Sequence, residues 1–437
     1  MSVVVGVDSS TSACKVEVRD LDDGRMLSTG RAPHPATTPP RSEQAPSAWW
    51  GAFEHACAAA GVTASGASAP AAISFGAQQH GMVVSAADGT VLRAAKLWND
   101  TESAPDAEAL VAALGGAQAW AAASGSVPVA SFTITKLHWL RRNEPDVFAK
   151  LGSVMLPHDW LTAQLTGRRT TDRGDASGTG YWSPAEGRYR YDLLALVDDQ
   201  VDWAPLLPEV LGPAAQAGTW GNGTTVVAPG TGDNMAAALG LGLRPGDMVL
   251  SLGTSGTAFG VSSSPGADPT GTVAGFADAT GHFLPLVCTL NATKVSDAIA
   301  RLLGVAPAEL DALALAAPAG AGGLVLVPHL DGERTPNRPN ATGVLSGMRS
   351  DVTREQLARA AMEGVVCNLL AGADELARWS PGIEQGRVFL IGGGAHSAAY
   401  RQIVADLVGR PVTIPHTEEL VACGAAVQAA VAVSGAS

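Results

Sequence analysis

Three stretches carry residue types that could do chemistry at a strand end. Val5–Ser12 runs a valine-rich segment into one acid, Asp8, and then into four small hydroxyl residues, Ser9, Ser10, Thr11 and Ser12. Small side chains let backbone N–H groups approach an anion, and the hydroxyls can donate to phosphate oxygens. The lone carboxylate can hold a hydrated cation, so the turn has the parts of a Mg-nucleotide site. On this stretch alone, a polar hairpin turn is an equal reading. Met248–Val261 repeats the plan: an apolar strand, then Gly253-Thr254-Ser255-Gly256, then another strand. Laid on the first stretch, Ser10-Thr11-Ser12 falls on Gly253-Thr254-Ser255, an internal duplication that begins each half of the chain. Val388–Ile391 leads into Gly392-Gly393-Gly394-Ala395, and three glycines in a row suit a ligand lying flat on the backbone.

Two further stretches have a donor and acceptor character. Gln78-Gln79-His80 ends a strand and is bracketed by Gly76 and Gly81. Amides donate and accept together, as a polyol requires; a polar strand terminus with His80 capping carbonyls is the bland alternative. Pro229-Gly230-Thr231-Gly232 turns into Asp233-Asn234 and an alanine-rich helix. Asp233 reads as the N-cap of that helix, at the mouth of a glycine-lined turn.

The elements that must position these groups follow from periodicity. Alternation predicts strands on both sides of each hydroxyl turn, a third strand over Met26–Arg31, and a strand over Ala71–Phe75. A helix opens near Pro46 with Ser47 as its N-cap. Ile134, Leu137, Trp139 and Leu140 form a helical apolar face, with Lys136 as a solvated or structural charge. Trp98 reads as a buried tryptophan before a helix cap at Asp100.

The chain has 437 residues, 46% of them hydrophobic, which suits a globular protein of two or three domains. A formal net charge of −13 argues against a nucleic-acid partner. The five cysteines, Cys14, Cys57, Cys288, Cys367 and Cys423, are scattered, odd in count and form no C-x-x-C, as in a reduced cytoplasmic protein. No basic region precedes the first valines, so no signal peptide is expected. The apolar tract from Leu420 to Val433 contains Gln428 and is too short to span a membrane.

Two hairpin phosphate loops in duplicated halves, followed by Gly-Gly-Gly-Ala, resemble the actin-like ATPase superfamily and, within it, the FGGY carbohydrate kinases. The likeness covers nearly the whole chain. It is carried also by Ser131–Glu144 and Gly343–Glu363, which match the two family signature stretches, and by Gln78–Gly81, Trp98–Asp100 and Gly332–Pro336. It implies an α/β fold of two ribonuclease-H-like domains around a cleft: 1–242 for the sugar and 243–437 for the nucleotide. It implies an ATP-dependent sugar kinase with Mg²⁺, and D-xylulose as the sugar, with another ketose or polyol, or a non-kinase actin-like ATPase, as alternatives. By the same resemblance Asp233 is the general base. Gln79, His80, Asp233 and Asn234 bind sugar. Ser10, Thr11, Ser12, Gly253, Thr254 and Ser255 hold phosphates, and Gly393, Gly394 and Ala395 line the adenosine. Asp8, through water, and Asp233 serve the metal. Asp172 and Asp175 are strand- and loop-ordering acids that stand second to Asp233 as the base. Glu333 and Arg334 order their loop by pairing locally, with a direct role in binding as the second reading. No nucleic acid or membrane partner is expected, and a homodimer is left open. Family members continue for some tens of residues past the point matching Ser437, in a helix that packs back across the first domain.

Overall fold

In the computed structural model, which describes residues 2–66, 68–417 and 419–435, each half of the chain builds a sheet of the same design. In the first, β1 (Val3–Ser9), β2 (Ala13–Asp20) and β3 (Met26–Pro33) form an antiparallel meander. β4 (Ala72–Ala77) lies parallel to β1, and β5 (Gly218–Trp220) and β6 (Thr225–Val227) complete the order β5-β6-β4-β1-β2-β3. In the second, β7 (Met248–Leu252), β8 (Gly256–Gly260), β9 (Ala274–Ala277) and β10 (Phe283–Thr289) are antiparallel. β11 (Val388–Ile391) is parallel to β7 and β12 (Val412–Thr413) to β11, giving β9-β10-β8-β7-β11-β12. The duplication expected from the hydroxyl turns is therefore a duplication of whole sheets. The two turns are both tight but not identical: Ser9 pairs with Cys14 across Ser10–Ala13, whereas Leu252 pairs with Gly256 across the shorter Gly253–Ser255.

β1 is buried on both faces, which is why its valines are nearly continuous. Val5 and Val7 face a core built by α1 (Pro46–Ala60), with Trp49, Phe53 and Cys57. Val4 faces the other way, toward Ala426 and Ala429. Helix α1 begins at Pro46, with Ala45 as its N-cap. Ser47 thus lies inside the first turn and is not the cap, because proline already takes the first helical position, where no N–H is needed.

Two helices rich in small residues join the halves. α2 (Asp233–Gly240) closes the first half; α3 (Arg354–Trp379) spans the second, and α4 (Leu420–Ser434) closes it. α4 does not lie on its own half's sheet. A Cβ at Gly6 of β1 would sit 1.9 Å from the Ala422 carbonyl oxygen of α4, and one at Gly76 would sit 2.7 Å from Val421 Cγ1. Ser74 donates to Gln428 Oε1 at 2.5 Å, and Gln428 Nε2 donates to the Gly230 carbonyl at 3.0 Å. Conversely, Met235 and Ala238 of α2 belong to the same buried cluster as Val249, Phe259 and Phe389 of the second sheet. The second half's closing helix therefore packs on the first half's sheet, while the first half's closing helix shares a core with the second. Where α2 and α4 cross, a Cβ on Gly424 would lie 1.8 Å from the Ala236 carbonyl oxygen, and one on Gly240 2.3 Å from that of Leu420. Among the described residues no helix is long and apolar enough to cross a membrane.

This crossing generates a prediction. Gly424→Ala forces backbone apart and should destabilise the protein by about 1–3 kcal/mol. Gly51→Ala, in the interior of α1 with no atom within 4 Å of where the added methyl would stand, should be stabilising by about 0.5–1 kcal/mol. Denaturant melts of the two variants check the contrast; a Gly424→Ala protein as stable as wild type contradicts the close crossing.

Candidate active site

The first turn is held from outside by residues far along the chain. Gln44 Nε2 donates to the Thr11 carbonyl at 3.1 Å, while Gln44 Oε1 accepts from Trp49 Nε1 at 2.7 Å. His34 Nδ1 lies 2.8 Å from the Ser10 carbonyl, and the His34 N–H donates to the Ser12 carbonyl. Trp98 is not buried: it is 42% exposed and donates from Nε1 to Thr11 Oγ1 at 2.8 Å. Nor does Asp100 cap a helix. Its carboxylate accepts from the Ser42 N–H and from Nζ of the fully buried Lys96, because a buried ammonium needs a counter-charge more than a helix needs a cap. Asp8 is buried, accepts from Ser10 Oγ, and lies 3.4 Å from Lys15 Nζ, which in turn pairs with Glu419 at 2.5 Å. Burial pushes the Asp8 carboxyl up, against the pull of Lys15.

The second turn is tied to the segment that follows β10. The Ala292 N–H donates to the Thr254 carbonyl at 3.2 Å, and the Thr293 N–H and Oγ1 both donate to the Gly253 carbonyl at 2.9 Å. Thr254 and Ser255 are exposed. The glycine loop packs directly on this turn. A Cβ on Gly392 would sit 2.7 Å from the Leu252 carbonyl oxygen, and one on Gly394 2.7 Å from Leu252 Cβ. Two of the three glycines thus serve packing, and only Gly393 faces open space. Two cavities meet at Gly393. One, about 230 Å³, is lined by Thr293, Ser296, Asp297 and Tyr400 with Gly394; the other, about 550 Å³, extends from Gly393 and Ala395 to Lys15 and Glu419.

Gln79, Asp233 and Asn234 come together, with His80 next to Gln79 in the chain. Asn234 Nδ2 donates to Gln79 Oε1 at 2.6 Å and to Asp233 Oδ1 at 3.0 Å. Asp233 is the first residue of α2 and Gly232 is the N-cap, so the carboxylate is not occupied by capping. Among the described residues it accepts from Asn234 alone, including its N–H at 2.8 Å. His80 sits at φ 61°, with its ring beside Phe132 and Phe276. Its N–H and Nδ1 both lie within 3.2 Å of Asp175 Oδ1. Asp175 therefore fixes Nδ1 as the donor and leaves the lone pair on Nε2, so His80 is held by a carboxylate and does not cap carbonyls. Burial lowers its basicity and keeps the ring neutral.

Beneath this edge lies a buried charge cluster. Asp172 accepts from the Gly174 and Asp175 N–H groups and from Thr231 Oγ1, so it orders the turn that delivers Asp233. His158 Nε2 lies 3.2, 3.4 and 3.6 Å from Asp159, Asp172 and Asp175. Burial works against its charge, yet those acids together raise it to about 9. Lys136 is likewise buried and not solvated, with Nζ donating to the carbonyls of Ala130, Ser131 and Phe132; burial brings it down to about 7. Asp233 itself is partly open to the cleft. Desolvation, reinforced by the charges of Asp8 and Asp175, raises it to about 7. Its charge also reaches Cys288 on β10.

Trp98, part of the Trp98–Asp100 stretch of the family likeness, braces the first turn together with Gln44. Thr293, Ser296 and Tyr400, which line the smaller cavity, were missed from sequence.

Comparison with known proteins accords with this geometry. Residues 3–240 match the N-terminal domain, and residues 248–433 the C-terminal domain, of the FGGY family of carbohydrate kinases. A xylulose kinase of Streptomyces coelicolor is 50% identical over 99% of this chain and 88% of that protein; one of Streptomyces rubiginosus is 48% identical with the same coverage. The crystal structure of xylulose kinase from Bifidobacterium adolescentis superposes with a TM-score of 0.91 at 43% identity, covering 100% of this chain and 93% of that one. With paired sheets, duplicated hydroxyl turns and both family domains in order, the chain belongs to the FGGY family of carbohydrate kinases.

Proposed function

We propose that the protein transfers the γ-phosphate of ATP to the terminal hydroxyl of D-xylulose, giving D-xylulose 5-phosphate. The observation that carries this reading is Asp233. Its carboxylate is free of capping duty, is raised to about 7, and stands beside Asn234 and Gln79. The identity to xylulose kinases supports the choice of sugar.

In this reading Gln79, Asn234 and the Nε2 lone pair of His80 bind sugar hydroxyls, each from a side chain already fixed by a neighbour. Asp233 takes the proton from the attacking hydroxyl, as a base with a pKa near the working pH does best. The exposed hydroxyls of Thr254 and Ser255, with Ser10, Thr11 and Ser12, hold phosphate oxygens. Thr11 exchanges its contact with Trp98 for one with phosphate. Gly393, Gly394 and Ala395 line the adenosine, which takes the cavity closed by Thr293, Ser296 and Tyr400. The charge of Asp8 reaches Asp233 and raises it, and two desolvated carboxylates within reach of one another fit a divalent cation. Mg²⁺, held by Asp8 through water and by Asp233, would neutralise phosphate charge. The chain's own work is positioning and charge complementarity, the main demands of phosphoryl transfer.

Two outcomes test this. A panel of sugars assayed for ADP release should show D-xylulose as the preferred acceptor. Asp233→Asn should bind both substrates yet turn over at least about 100-fold more slowly; near-normal turnover removes Asp233 as the base. Because the folded Asp233 is raised to about 7, the stability it contributes in its protonated form is lost as pH rises through that value. The variant should therefore melt no lower than wild type at a pH about one unit above it.

The pH profile gives the other check. A base of pKa about 7 must be ionised to act, so kcat/KM should fall about tenfold per pH unit below that value and level off above it. A profile that stays flat for about two pH units below it contradicts the assignment.

A further inference from the structure

The loop containing Glu333 and Arg334 does not pair these two side chains. Glu333 is 1% exposed, and its carboxylate is fully committed elsewhere. Oε1 accepts from the Leu290 N–H at 2.6 Å and the Arg334 N–H at 2.7 Å; Oε2 accepts from Asn291 Nδ2 at 2.9 Å and Asn368 Nδ2 at 3.1 Å. Arg334 is half-buried, and among the described residues its guanidinium makes no hydrogen bond or ion pair. A half-buried cation without a partner is costly unless a ligand supplies the partner.

Its place is set by the same contacts. Leu290 and Asn291 follow β10 directly and lead into Ala292 and Thr293, which are bonded to Thr254 and Gly253 of the second phosphate turn. Glu333 thus clamps the arginine's backbone to the segment that holds that turn. Toward the other half, the charge of Arg334 lowers the basicity of His80 and favours the Cys288 thiolate, while that of Asp233 opposes the same thiolate. Arg334 is therefore in electrostatic reach of the sugar edge, and its backbone is fastened to the phosphate side.

We propose that Arg334 is a catalytic residue whose guanidinium contacts the non-bridging oxygens of the phosphoryl group in transit, with Glu333 as its positioning residue. The inference rests on the kinase reading above. In the step, the bond between the γ-phosphorus and the β,γ-bridging oxygen breaks, and its electron pair leaves on ADP. The bond from the sugar oxygen to phosphorus forms, and the hydroxyl proton goes to Asp233. Arg334 exchanges no atom; its planar fork meets charge that spreads over the moving oxygens.

The test uses the full chain with Mg-ATP and D-xylulose. Arg334→Ala should lower kcat about 1000-fold, leave both KM values within about threefold, and regain part of its rate with added guanidinium. It should bind ADP normally but bind ADP with tetrafluoroaluminate far more weakly than wild type does. A kcat within about threefold of wild type overturns the proposal, as does equal loss of ADP and of the tetrafluoroaluminate complex, which marks a structural role. If Arg334→Ala does not fold, Arg334→Lys decides: it should lose at least about tenfold in kcat, because a point charge does not replace the fork, and an unchanged kcat overturns the assignment. Wild-type protein that phosphorylates no sugar overturns the kinase reading and this inference with it; wild-type turnover with unaffected variants overturns the arginine alone.

Discussion

The close crossing of α2 and α4 is the contact on which the rest of the architecture depends. Two helices can approach until backbone meets backbone only where side chains vanish, and Gly240 and Gly424 supply that at the crossing. Because α4 lies on the other half's sheet and α2 shares a buried cluster with residues of the second sheet, the crossing ties two duplicated units into one cleft. Asp233 begins one of these helices, and Glu419, joined through Lys15 to Asp8, immediately precedes the other. Asp233 is thus carried on one of the two elements that cross between the halves, and Asp8, on β1, is linked through Lys15 and Glu419 to the start of the other.

The duplication also explains how one design serves two ligands. In each half the strand parallel to the first, β4 or β11, ends beside the first strand's hydroxyl turn. The first half places Gln78, Gln79 and His80 there, side chains with hydrogen-bonding range. The second half places three glycines, two of which are needed so that the loop can lie on Leu252. Side chains at one strand end suit hydroxyls; bare backbone at the other suits a flat ring and phosphates.

Much of this was legible in the chain. Apolar runs ending in hydroxyl turns mark strand ends, and their repetition marks the two sheets. The Gln-Gln-His strand end and the Gly-Asp-Asn turn stood out as polar groups beside glycines, but each also had a structural reading, as a strand terminus and as a helix cap, and only the family resemblance favoured function. What stayed hidden depends on partners remote in sequence. The Thr11 carbonyl is held by Gln44, 33 positions away, and its hydroxyl by Trp98, 87 positions away. Lys136 looks like any helical lysine until three carbonyls are seen around it, and Glu333 beside Arg334 looks like an ion pair until four other donors are seen to claim the acid. Local pattern gives an element's type; it does not say which of two adjacent charges is satisfied.

The central claim is that Asp233 and the two hydroxyl turns act on one substrate pair. A crystal structure of the protein with D-xylulose and a non-hydrolysable ATP analogue tests it most directly. The account predicts the terminal sugar hydroxyl about 2.6–3.2 Å from the Asp233 carboxylate, in line with a γ-phosphorus held between Ser10–Ser12 and Gly253–Ser255. A sugar bound with that hydroxyl turned away from Asp233, or a nucleotide whose phosphates touch neither turn, would contradict it.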